Sequence, residues 1–238
     1  MTMAERKPLT PAAAKFQRAL AARASGAPAA GANGALPEAT GTQYELMLAK
    51  LLADRRDLKQ IQSVERKIEH KRKILPDYTP WVEGVLSAES PRQDDVVMTV
   101  LVWRIDVGDY PGALDIASYA LRNRLTLPDQ YQRSLGCLLV EEISDAALRA
   151  IASGQPPDVV AVQAIMDMAR DEDMPDEVRA KGFKAIGLGL TESDPPAALT
   201  ALREAMRLHD KCGVKKDIER LERATRSAQQ DTAGHAGA

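Results

Sequence analysis

Cysteine is nearly absent from these 238 residues: Cys137 and Cys212 stand far apart, with no Cys-x-x-Cys or Cys/His partner spacing. That excludes a disulfide framework and a zinc module, and it fits a reducing compartment. Aromatics are scarce as well, with two Trp, five Tyr and two Phe, so Leu, Ala, Val, Ile and Met must form the buried surface. Helices use those residues well. No Asn-Gly or Asp-Gly turn sits between alternating strand-like runs, and the fold is read as all-α. No apolar run approaches the roughly 20 residues of a membrane helix. The alanine-containing amino terminus is interrupted by Lys7, Lys15, Arg18 and Arg23, leaving no apolar core of signal-peptide length. A soluble protein is expected.

Four regions are expected. Residues 1–40, rich in Ala, Pro and Gly, read as a disordered arm, with a possible short helix at Pro11 to Arg23. Residues 41–76 predict one long basic amphipathic helix, free of Gly and Pro for more than thirty positions from Thr42 to Leu75 and ended by Pro76 and Pro80. Met47, Leu51, Leu58, Ile61, Ile68 and Leu75 give it an imperfect coiled-coil seam, suited to a partner helix or a second subunit. Residues 77–225 predict a bundle of helical hairpins, and 226–238 a disordered tail. The echo between GDYPGALDIASYAL and SDPPAALTALREAM gives the bundle a weak tetratricopeptide-like flavour without a regular repeat.

A formal net charge of −2 conceals a division. Residues 50–73 hold nine Lys/Arg against four Asp/Glu, whereas residues 74–210 hold twelve against twenty-three. Arg55, Arg56, Lys59, Arg66, Lys67, Lys71, Arg72 and Lys73 are therefore the candidate DNA-binding residues, since such clusters neutralise phosphates without reading sequence. From the residues alone, a solvated helix face with cations near a helix carboxyl end is the favoured reading. A second cluster, Lys211, Lys215, Lys216, Arg220, Arg223 and Arg226, is diluted by Asp217, Glu219 and Glu222, and its spacings fit ordinary intrahelical pairing.

A metal-dependent nuclease needs carboxylates converging on a divalent ion. Asp94, Asp95, Asp106 and Asp109 are the weak catalytic candidates, and magnesium is a cofactor only if that chemistry is real. Asp94 and Asp106 would stand about 18 Å apart along one helix, so helix capping explains these acids better. His70, His209 and His235 lack catalytic companions, and no GxxxxGK[ST] phosphate loop is present. Trp81 and Trp103 read as core anchors rather than base-stacking groups.

The stretch from Gln93 to Leu121, carrying QDDxxMTxxxWRxDxGDxxGAL, together with MPDEVRAK at 174–181 and GVKK and IERLER near 213–223, resembles the GpM-type small terminase subunits of temperate contractile-tailed phages. The resemblance covers over half the chain. It implies a subunit that binds double-stranded concatemeric phage DNA and delivers it to the ATP-driven large subunit for cutting and packaging. It also implies assembly as a homo-oligomer in the cytoplasm of the bacterial host. That family bears an endonuclease label. Protein-only adaptor and genuine metal-dependent nuclease are the alternatives. Its members can end in a basic tail; SAQQDTAGHAGA is not basic, which puts the weight on residues 55–73.

Overall fold

The computed structural model describes residues 41–88, 91–128 and 133–235, with side chains up to Arg226. The expected arm at 1–40 and its short helix lie outside the described residues. Among those residues the fold is all-α. Its helices are α1 (Thr42–Gln60), α2 (Val64–Ile74), α3 (Thr79–Leu86), α4 (Asp95–Val107), α5 (Tyr110–Arg122), α6 (Leu135–Ala152), α7 (Val159–Met168), α8 (Asp176–Gly189), α9 (Pro195–Leu208) and α10 (Lys215–His235). A 3₁₀ turn, Leu75–Tyr78, joins α2 to α3.

One expectation needs correction. The uninterrupted helix over 42–75 is two helices, broken at Ile61, whose backbone is extended (φ −84°, ψ 123°). No Gly or Pro causes the break. Ser63 instead takes up the role of amino-terminal cap for α2, its hydroxyl accepting from the Arg66 amide at 3.3 Å. A cap within a sequence of good helix formers was visible only as a serine. The carboxyl end differs too: α10 continues to His235, past the position where a tail is expected to begin. Its last part, SAQQDTA, contains no Gly or Pro to stop it.

Helix α4 is the hub of the amino-terminal half of the described fold, packing on α1, α2, α3 and α5. Val96, Val97, Met98, Val100 and Leu101 are fully buried, and Trp103 and Ile105 nearly so. A helix apolar on every side must be surrounded. Tyr78 meets Trp103 edge-on at 5.9 Å, and Tyr44 of α1 stacks on Trp81 of α3 at 5.9 Å, so both tryptophans anchor the core as expected. The main core continues through α5, α6, α7 and α8. A second, smaller core joins α9 to α10 through Leu199, Leu202, Val214, Ile218 and Leu221. The seam residues Leu51, Leu58 and Leu75 face the chain's own core, together with Tyr44 and Leu48.

The echoed GDYPGAL and SDPPAAL segments turn out to share a capping device. Asp109 accepts from the Gly112 amide, and Asp194 from the Ala197 amide, each followed by proline in the first turn. Asp158 does the same for α7. The likeness records how these helices start, which needs no repeated unit.

Candidate nucleic-acid interface

The break at Ile61 lets α2 fold back against the carboxyl end of α4. Nothing on α2 is buried. Lys71 forms an ion pair with Asp106, and the Arg72 guanidinium donates to the Val107 carbonyl at 3.2 Å, which together fasten the helix there. Ile74 packs against the main core, Lys67, Ile68 and His70 are half-buried, and Val64, Glu65, Arg66, Glu69 and Lys73 are exposed. Of the eight candidate cations, Arg56, Lys59, Arg66, Arg72 and Lys73 are exposed, whereas Arg55, Lys67 and Lys71 are half-buried. The exposed acids between them are Asp57, Glu65 and Glu69, so the outward surface keeps a positive surplus of two.

Asp54 does not dilute that surface, because it is taken inward. Its carboxylate accepts from the Tyr78 hydroxyl at 2.6 Å and pairs with Lys50 at 3.0 Å, and Lys50 also reaches Asp77 at 2.9 Å. The Lys50 ammonium lies 4.9 Å from the centre of the Tyr78 ring. Burial, and then the hydrogen bond to Asp54, push the Tyr78 phenol well above its usual range. This lock fixes the orientation of α1 and thereby of its outward Arg56 and Lys59. The sequence offered no sign of it, since Asp54 and Tyr78 are 24 positions apart.

The four candidate catalytic acids occupy separate positions. Asp94 is the buried cap of α4: one carboxylate oxygen accepts from the Val96 and Val97 amides at 2.8 and 3.0 Å, and the other from the Trp81 indole at 3.0 Å. Burial raises the Asp94 carboxyl above its ordinary range, against the hydrogen bonds from Val97, Trp81 and Val96, which lower it. Asp95 opens α4 and is exposed. Asp106 is the partner of Lys71. Asp109 caps α5 and binds Arg104 at 2.7 Å. Among the described residues, no three His, Cys, Asp or Glu side chains are grouped to hold a metal ion.

The long motif is thus accounted for by architecture. Gln93 bridges the backbone of Thr126 in both directions, donating at 2.7 Å and accepting at 2.9 Å, and so ties the start of α4 to the end of α5. Thr99 donates to the Asp95 carbonyl. Gly108 closes α4 in the left-handed region (φ 79°), which favours glycine. Gly112 is required by close approach: a Cβ there would collide with the Arg104 guanidinium. The result is a cleft of about 560 Å³ beside α2, where Arg72 and Arg104 alternate with Glu83, Asp109 and Asp115. MPDEVRAK is equally structural. Arg179 donates to the Glu172 carbonyl at 2.8 Å, Ala180 is fully buried in α8, and Lys181 pairs with Glu141 and Asp145 of α6.

In the second basic cluster, the expected intrahelical pairing is seen between Arg220 and Asp217 at 3.0 Å, while Glu222 reaches across to Arg203 of α9 at 2.6 Å.

These features sit in a stretch with known relatives. The sequence pattern of the phage small terminase subunit family matches residues 48–177, more than half of the chain. The chain belongs to that family. It is 47% identical over 190 residues to a protein of Escherichia phage P2 called "Terminase, endonuclease subunit", covering 79% of this chain and 77% of the relative. A Haemophilus phage HP1 protein called "Probable terminase, endonuclease subunit" is 24% identical over 195 residues, covering 76% and 69%. No solved structure matches. Membership gives this small terminase subunit a role in phage DNA packaging. The family match takes in α2, α4 and α5 and most of α1, and stops before α9 and α10. No helix among the described residues is long and apolar enough to cross a membrane.

Proposed function

We propose that this small terminase subunit binds double-stranded phage DNA through the outward faces of α1 and α2 and presents it to the large subunit for cutting and packaging. The observation that carries the reading is α2 itself, a helix with no buried residue and three exposed cations, Arg66, Arg72 and Lys73. A helix that contributes so little to a core has a sequence governed by what it meets outside. Phosphate neutralisation requires no catalytic group and no cofactor.

The relatives' names call them endonuclease subunits. In this reading the cut belongs to the assembled terminase, because Asp94, Asp106 and Asp109 are engaged in capping and ion pairing rather than facing one another. Assembly of several copies on the DNA is part of the same proposal.

The test is duplex-DNA binding across a salt series, with and without magnesium, read for retention and cleavage on one gel. Replacing Arg56, Lys59, Arg66 and Lys73 with Gln should weaken retention and flatten its salt dependence by about 0.9 in log–log slope for each phosphate no longer neutralised. An unchanged slope would remove α1 and α2 from consideration. Retention of the large subunit without DNA retention would favour a protein-only adaptor, and magnesium-dependent cutting by the purified chain would place the nuclease here.

A further inference from the structure

Helix α10 carries a second cationic surface, in which the expected intrahelical pairing joins Arg220 to Asp217 and the Arg223 guanidinium donates to the Glu219 carbonyl at 3.2 Å. Its packing seam is Val214, Ile218 and Leu221, buried to 1, 6 and 4% exposure against α9. At 100° per residue, Lys216 and Arg223 lie nearly opposite that seam and Arg220 about 50° round from opposite, and all three are exposed. The apolar packing therefore fixes the rotation of the helix, and with it the outward direction of the stripe. The three cations span eight residues, about 10 Å of helix axis.

The neighbouring acids leave that face positive. Glu222 points sideways to Arg203 on α9, and Asp217, on the other flank, pairs with Arg220. Glu219 is the remaining exposed acid of this stretch, with Lys215 and Arg226 beside it. No large exposed hydrophobic residue lies on the described part of α10; those present are Leu46, Val64, Val160 and Met168 on other helices. A protein-binding face would be expected to offer an apolar centre, whereas a face of cations with Glu219 as its one exposed acid fits a polyanion better.

We infer that the Lys216, Arg220 and Arg223 stripe is a second nucleic-acid contact, taking the phosphate backbone of duplex DNA at a site separate from α1 and α2. A duplex carries one charge per roughly 1.7 Å of its axis with both strands counted, so a stripe of this length runs along about three phosphates of each strand. A phosphate replaces Asp217 as the partner of Arg220. The inference rests on the packaging role of the family and not on the α1–α2 site. Helix α10 packs on α9, and α1 and α2 pack on α4, so the two surfaces belong to different parts of the fold.

The experiment uses the full chain and a 40-base-pair duplex, with affinity followed from 50 to 200 mM salt. The triple substitution Lys216→Gln, Arg220→Gln, Arg223→Gln should flatten the log–log slope by up to about 2.7, so that the loss of affinity over that range shrinks roughly fortyfold. The charge-keeping variant Lys216→Arg, Arg220→Lys, Arg223→Lys should restore the slope, which separates charge from any effect on the helix. Helical circular dichroism confirms that each variant is folded. The α1–α2 variant, run in parallel, reports on the other surface independently. An unchanged slope in a folded triple variant overturns the inference. So does an unchanged slope accompanied by altered sedimentation, which would assign the stripe to an acidic protein surface.

Discussion

Helices α2 and α4 are nearly the same length and touch one another, yet they are built on opposite principles. In α4, eight of thirteen residues are buried; in α2, none of eleven is. Packing fixes nearly every side chain of α4, so its sequence is dictated from within. An ion pair, one hydrogen bond and the packing of Ile74 hold α2 at its carboxyl end, leaving the side chains of its outer face answerable only to solvent or a partner. The buried scaffold and the exposed helix are adjacent, and the contrast in burial predicts that they are energetically separate.

That separation can be broken at graded cost. The largest effect is expected from Leu101→Ala in α4, where truncation of a fully buried side chain should remove about 2–5 kcal/mol in urea denaturation, while Arg66→Gln in α2 should leave the midpoint nearly unmoved. Equal effects would refute the contrast.

Asp94→Ala comes next, since it deprives two amides and an indole of their acceptor; about 2–3 kcal/mol is expected. Asp94 also has a pH signature. Its folded-state pKa lies above the ordinary value of 3.8, so its contribution to stability is full below that value and declines as pH rises through the folded one. The stability advantage of the native chain over Asp94→Asn should therefore be greatest near pH 3.5, a little below the ordinary value, and shrink toward neutrality. Chemical denaturation at several pH values reads this directly; an advantage that grows with pH would reverse the assignment.

Gly112→Ala should cost about 1–2 kcal/mol by displacing Arg104 from Asp109, with the loss largely absent when Arg104→Ala is already present. The smallest effect belongs to the fastening of α2. A double-mutant cycle on Lys71→Gln and Asp106→Asn should give a coupling below about 1 kcal/mol, because Asp106 is one-third exposed and solvent screens the pair. A larger coupling would mean that α2 belongs energetically to the core after all.

Periodicity and breaker residues made much of the fold legible. Gly108 and Pro111 divide α4 from α5 where the spacing places the division, and the apolar run at 96–105 is the central helix. The break at Ile61 was not legible, because helix propensity alone favours continuation and the decision rests on where α2 docks. The acids of the long motif were readable as caps from their positions before Val96 and Pro111, and both serve that purpose. Which cations remain outward was not readable. Lys71 and Arg72 look no different in sequence from Lys73, yet Asp106 and Val107, 35 positions away, claim the first two.

The lack of buried residues on α2 has a consequence for motion. Releasing it should open a small local unit rather than the whole domain, so its amides are expected to exchange with solvent deuterium far faster than those of α4, which exchange only when the domain unfolds. Leu75 and Tyr78, buried directly after its carboxyl end, anchor that end, so the opening is expected to begin beside the Ile61 break and to leave the other helices in place.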